Sequence, residues 1–176
     1  MINIGVTGLC SQAKNIPLLG KLCSTLDKQE NKNFQIIFSG FITDRKFYEY
    51  LKTLNFVYKK SLSENMISDT LRNETIQKMT YIIFTNNKDS YKYTASGAFM
   101  DAINFEKPII AITNDYIKSY FDKYGDIGYL CNSYEELYAK ITSVINNFPQ
   151  EKYELQKNNI RKIKQTDAIE KIALKF

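Results

Sequence analysis

Two stretches of this chain carry residue types that packing alone does not require. The first reads Thr7-Gly8-Leu9-Cys10-Ser11-Gln12-Ala13-Lys14-Asn15. Gly8 permits a tight backbone path, Ser11 offers a hydroxyl, and Lys14 stands at the mouth of a helix. A diphosphate there would meet exposed amides and an ammonium together. Taken by itself, however, the loop fits a solvated surface turn better than a phosphate site. It is neither Gly-x-Gly-x-x-Gly nor a Walker loop, so the usual dinucleotide and ATP readings fail. The second stretch runs from Thr85 through a long polar loop into Ala95-Ser96-Gly97-Ala98-Phe99-Met100-Asp101-Ala102. Ser96 and Gly97 should expose amides at a helix start, another phosphate-ready feature. Asp101, one turn further in, has a carboxylate that suits two ribose hydroxyls. An acidic residue near a helix start is equally what the helix dipole favours.

Composition closes off several other chemistries. The 176 residues contain no histidine, which removes every Ser-His and Cys-His catalytic arrangement. The three cysteines, Cys10, Cys23 and Cys131, are far apart and form no Cys-x-x-Cys pair, so no metal site is expected. A reduced, cytoplasmic compartment fits them. No signal peptide or membrane span is expected. The formal charge of +5 is scattered over the chain, and its densest group is Lys157, Arg161, Lys162 and Lys164. That group reads as a solvated helix face, so nucleic acid is not an expected partner.

What positions the two stretches is a strand-helix alternation. Apolar runs at residues 2–6, 34–38, 56–58, 81–84, 108–112 and 128–131 read as six strands. Helices are expected over residues 16–27, with Asn15 as N-cap, and over 44–54. Further helices should follow a cap at Ser61 or Ser63, begin at Ser96-Gly97, follow Asp115, and follow the Ser133/Glu136 capping box. Such alternation means a parallel sheet covered on both faces. We expect an α/β, Rossmann-like, doubly wound parallel six-stranded sheet in the order 3-2-1-4-5-6. Ligands then bind beyond the carboxyl ends where the order reverses, between the loops after strands 1 and 4. Those loops are the two stretches above. One domain over residues 1–176 is enough, with residues 151–176 as a C-terminal helical tail.

The string Tyr81-Ile-Ile-Phe-Thr, then Ala95-Ser-Gly-Ala-Phe-Met-Asp-Ala-Ile-Asn-Phe-Glu-Lys-Pro-Ile-Ile-Ala-Ile, resembles the C-terminal, donor-binding domain of GT-B glycosyltransferases. The nearest group is the large family 4 (group 1) type. The segment from Tyr120 to Leu130, the capped helix at Ser133 and the opening loop through Lys14-Asn15 are similar to later and earlier parts of the same pattern. The resemblance covers essentially the whole chain, and its specific part is residues 95–112. It implies that Gly8, Ser11, Lys14, Ser96, Gly97 and Ala98 bind the donor diphosphate and that Asp101 holds the ribose. Tyr93 would stand on the sugar side, and Lys59, Ser61 and Leu62 would lie along the base. The chain departs from the pattern twice. Tyr93 stands where the family's first glutamate falls, and Leu9 and Cys10 stand where an arginine is frequent.

The expected function is therefore transfer of a sugar from a UDP- or GDP-linked donor to an acceptor held by a missing N-terminal domain or a separate chain. The setting would be cell-surface polysaccharide synthesis. No cofactor is expected, and the absence of any Asp-x-Asp implies a metal-independent reaction. The tail is a candidate contact for the other half, and the protein would be cytoplasmic with peripheral contact at the inner face of the membrane. By itself the chain should be inactive. The alternative is a noncatalytic nucleotide-binding or scaffold domain of the same fold. A flavodoxin-like or receiver-like module is a third class, and the lack of an acidic cluster after strand 1 speaks against the receiver.

Overall fold

The computed structural model describes residues 1–86 and 96–166. Five parallel strands, β1 (Ile2–Thr7), β2 (Phe34–Ser39), β3 (Tyr81–Phe84), β4 (Ile109–Ile112) and β5 (Gly128–Cys131), form one sheet in the order β2-β1-β3-β4-β5. Ile4 pairs with Ile36 on one side and Tyr81 on the other, and Ala111 faces Leu130. The central strands β3 and β4, Tyr-Ile-Ile-Phe and Ile-Ile-Ala-Ile, are almost wholly β-branched or aromatic, as suits strands buried on both faces.

Among the described residues seven helices cover the sheet: α1 (Ile16–Asp27), α2 (Arg45–Thr53), α3 (Asp69–Lys78), α4 (Gly97–Asn104), α5 (Asp115–Tyr124), α6 (Tyr134–Asn146) and α7 (Gln150–Thr166). Alternation along each strand sorts the core into two layers. Ile36, Phe38, Ile83 and Ile110 pack with Leu22 of α1, Leu51 of α2 and Ile141 of α6. Ile37, Ile82, Phe84 and Ile109 point the other way, onto Ile76 of α3, Phe99 of α4, Ile117 of α5 and Ile160 of α7. The expected doubly wound architecture is present.

Residues 56–58 depart from expectation. They form an isolated parallel bridge, Val57 to Ile36, in place of a sixth strand. Only two hydrogen bonds hold it, Ile36 N–H to the Phe56 carbonyl and Tyr58 N–H to the Ile36 carbonyl, each 2.9 Å. A turn closed by Leu62 N–H on the Lys59 carbonyl ends the pairing before a ladder can grow. With this bridge counted at the edge, the order is the anticipated 3-2-1-4-5-6. The next helix also starts later than expected. Ser68, and neither Ser61 nor Ser63, caps α3 by accepting from Leu71 N–H. Similarly Asn114, one residue before Asp115, caps α5 by accepting from Ile117 N–H at 2.8 Å.

The C-terminal helix α7 docks on its own fold. Ile160 and Ile163 are buried against the α4 and α5 side. Gln156 donates to the Gly128 carbonyl and to Asp126, each at 3.0 Å, and Asn159 donates to the Asp126 carbonyl. Beside these, Arg161 and Lys164 both donate to Glu106. Partial burial pushes the Glu106 pKa up, but the hydrogen bonds and charges of Arg161 and Lys164 outweigh it and leave the group below the usual carboxylate range. Its contribution is thus complete above the ordinary glutamate pKa and is lost as pH falls through the lowered folded value. Glu106→Gln should speed hydrogen exchange in α7 while costing about 1 kcal/mol or less, since the pair is partly solvent-screened. Exchange unchanged across α7 would show that the apolar contacts alone hold it.

Candidate functional site

The cleft lies where the strand order reverses, between β1 and β3. The loop after β1 has a built geometry. Gly8, at φ +72°, turns the chain out of the sheet, and its N–H donates to the Ser39 carbonyl at 2.7 Å. Cys10 N–H donates to Phe41, and Thr43 N–H donates back to Cys10, so this loop is laced to the one after β2. A single 3-10 turn, Gln12–Lys14, leads to Asn15 in the left-handed region, and the Asn15 side chain caps α1 by accepting from Leu18 N–H. The turn is fixed from both ends.

Those constraints hold Lys14 inward. It is 7% exposed, its ammonium donates to the Thr7 carbonyl, and its own carbonyl accepts from the Thr85 hydroxyl at 2.6 Å. Burial lowers its pKa, while the neighbouring Cys10 and Asp101 act in the opposite direction. Cys10 is buried too, which pushes its thiol up to about 11 despite Lys14, so it has no nucleophilic role at neutral pH.

Across the cleft, Ser96 caps α4 by accepting from Phe99 N–H at 3.3 Å. That leaves the amides of Gly97 and Ala98 without intrahelical partners. A Cβ placed on Gly97 would meet no atom within 4 Å, so there is open space on the Cα side of this residue. One turn on, the Asp101 carboxylate pairs with the Arg72 guanidinium from α3. The open cleft has a volume of about 390 Å³. Gly8, Ser11, Lys14, Ser96, Gly97, Ala98 and Asp101, the seven residues expected at the diphosphate and ribose, all line it. Leu9 and Arg72 complete the wall.

The residues expected along the base stand elsewhere. Lys59 folds back, donating to the Leu51 and Leu54 carbonyls at 2.7 and 2.6 Å, and so caps the end of α2. Ser61 is fully buried, with a hydroxyl that has no partner among the described residues. Leu62 is half-buried against the core. None of the three lines the cleft. Tyr93 lies outside the described residues. A separate cleft of about 270 Å³ sits at the amino ends of β1 and β2, beside Lys32, Phe34 and Phe56, far from any helix start. Among the described residues no group of three His, Cys, Asp or Glu side chains is placed to hold a metal ion. No described helix is long and apolar enough to cross a membrane.

No family model and no curated protein matches the sequence. Solved structures do match. A mutant of TarM from S. aureus, in complex with fondaparinux, alpha-GlcNAc-glycerol and UDP, superposes with a TM-score of 0.71 over 98% of this chain at 19% identity. The C-terminal domain of the glycosyl transferase group 1 family protein LpcC from Francisella tularensis gives 0.62 over 94% of this chain and 85% of its own, at 14% identity. The fold is that of a GT-B C-terminal domain. The catalytic domain of cholesterol-alpha-glucosyltransferase from Helicobacter pylori gives 0.61 over 92% of this chain and 97% of its own, at 16% identity. Against the whole of TarM the chain spans 34% of the length. A GT-B C-terminal domain accounts for the sheet order and for a ligand cleft at its reversal.

Sequence reading missed two residues of the site. Arg72 is one of only three arginines, but nothing local to α3 points it at Asp101. Gly40 follows β2 and presses against Gly8, and its signal was a Ser-Gly pair at a strand end.

Proposed function

We propose that this chain is the donor half of a glycosyltransferase, binding a nucleoside-diphosphate sugar linked to UDP or GDP. The observation that carries the reading is the convergence of Lys14, Ser11 and the α4 start at Gly97 and Ala98 on one cleft at the sheet's reversal point. Each favours oxygen-borne negative charge, and together they face the span of a diphosphate. The TarM structure that shares this fold is described with UDP, which supports the nucleotide class. Catalysis would consist of stabilising charge as it develops on the departing diphosphate, by groups that the fold holds in place at the cleft. The acceptor would lie on an N-terminal domain or separate chain, and this chain alone would be inactive. Metal-independent transfer, a cytoplasmic site peripheral to the membrane, and a role in cell-surface polysaccharide synthesis complete the proposal. The absence of Asp-x-Asp supports the first of these.

The test is titration with UDP, GDP, ADP and CMP, read by thermal shift, on the unsubstituted chain and on Gly97→Val. At roughly tenfold above the dissociation constant, linkage gives about 1.4 kcal/mol of stabilisation. One diphosphate should bind selectively. Gly97→Val should fold normally, because its side chain enters open space, yet lose the shift because it fills the cleft. No shift with any nucleotide would move the noncatalytic scaffold ahead.

A further inference from the structure

Two cations line the cleft, and their states differ. Lys14 is buried, already donates to Thr7, and is held below the ordinary lysine pKa by that burial. Arg72 presents a planar guanidinium fork with several N–H donors. Its backbone is tied to the cleft floor, since the Arg72 carbonyl accepts from the Ser39 hydroxyl at 3.2 Å, one residue before Gly40. Its guanidinium is engaged by Asp101 and, at 3.5 Å, by Asn73. Its five N–H donors outnumber these two contacts, it lines the cleft, and its side chain is 30% exposed against 13% for Asp101.

Resting on the nucleotide reading above, we infer that Arg72 is the second phosphate-binding cation of this cleft and sets its preference for a diphosphate over a monophosphate. One phosphoryl group sits against Lys14 and the α4 amides. The other takes the Arg72 fork from the α3 side. Asp101 is a positioning residue, holding the guanidinium at the correct angle as a carboxylate orients an arginine clamp. A ligand with two phosphoryl groups can engage Lys14 and Arg72 together, whereas one with a single group reaches only one of them.

Calorimetric titration decides it, using the tighter binder of UDP and GDP together with its matching monophosphate. The unsubstituted chain should favour the diphosphate by tenfold or more. Arg72→Gln should lose tenfold or more in affinity for the diphosphate and less than twofold for the monophosphate. Arg72→Lys, which keeps charge and loses the fork, should fall between. Asp101→Asn should weaken the diphosphate in the Arg72 background and have little further effect in Arg72→Gln, a non-additivity that a purely structural role would not produce. Thermal melts of each variant confirm folding. If the unsubstituted chain binds neither nucleotide, the nucleotide reading falls and this inference with it. If it prefers the diphosphate and Arg72→Gln keeps the same preference, the inference alone is overturned.

Discussion

Lys14→Met should weaken nucleoside-diphosphate binding by about 100-fold while leaving the unliganded protein more stable than before. The binding loss follows from removing a charged donor at the phosphate, an interaction of up to about 3 kcal/mol. The stability gain follows from burial. Lys14 is nearly enclosed, and desolvation holds its pKa below the ordinary 10.5. A lysine whose folded pKa is depressed is disfavoured as a cation by folding, so its charge destabilises the empty protein at neutral pH. This penalty is complete below the folded pKa and fades as pH rises towards the unfolded value. Methionine has similar length and no charge. The lost hydrogen bond to Thr7 offsets part of the gain, leaving about 1 kcal/mol, or a rise in melting temperature of roughly 2–4 °C. Diphosphate affinity in the unsubstituted chain should weaken as pH rises through the lowered Lys14 pKa, and it should not do so in the methionine variant. Thermal denaturation with and without ligand measures both effects. A large drop in the melting temperature of empty Lys14→Met would show that the ammonium is there to hold the loop.

Gly40→Ala should be among the most damaging single-methyl additions. A Cβ there would lie 2.2 Å from the Gly8 oxygen and 2.6 Å from the Gly8 carbonyl carbon, at a backbone φ of +150°. Backbone cannot rotate aside as a flexible side chain can, and Gly8 is also pinned by its bond to Ser39. The two loops must separate or β2 must shift, at a cost of about 3 kcal/mol or more. That corresponds to a fall in melting temperature of roughly 6–12 °C. Diphosphate affinity should fall with it, because Gly8 forms the cleft wall. Gly8→Ala is the informative comparison. Its Cβ would meet only ordinary contacts at 3.9 and 4.0 Å, so the cost is conformational strain at φ +72°, about 1–2 kcal/mol. A Gly40→Ala variant as stable as Gly8→Ala would show that the loops slide apart freely.

Much of this arrangement was readable from local pattern, for identifiable reasons. The runs at residues 2–6, 34–38 and 81–84 are dense in β-branched and aromatic residues, and each became a strand. Ser96, Ser133 and Asn15 cap helices through side chains acting three residues ahead, a relation that sequence spacing exposes directly. The parallel order follows from alternation, and it alone brings the first and third βα loops together. Hence Lys14 and Ser96 could be expected to face one space although they are far apart in sequence.

What was not legible depended on tertiary contact. Residues 56–58 have strand composition, but whether a run becomes a ladder depends on the turn that follows, and here it closes at Leu62. Helix α3 buries only Thr75 and Ile76, so no periodic apolar stripe marks its start, and Ser68 competes with two earlier serines of identical local appeal. Lys59 was expected along the base because of where it falls in a family pattern. The open carbonyls at the end of α2 are nearer, and they take it. Arg72 depends on the packing of α3 beside α4, which no local signal encodes.

The most direct measurement is an amide-resolved NMR titration with UDP and GDP. Saturable shifts are expected for Gly97, Ala98 and Ser11, with Gly8 and the Arg72 side chain moving on the same curve. Phe34 and Phe56, at the opposite end of the sheet, should be still. No saturable shift at millimolar nucleotide, or shifts gathered around Phe34 and Phe56, would contradict the claim that this cleft receives a nucleoside diphosphate.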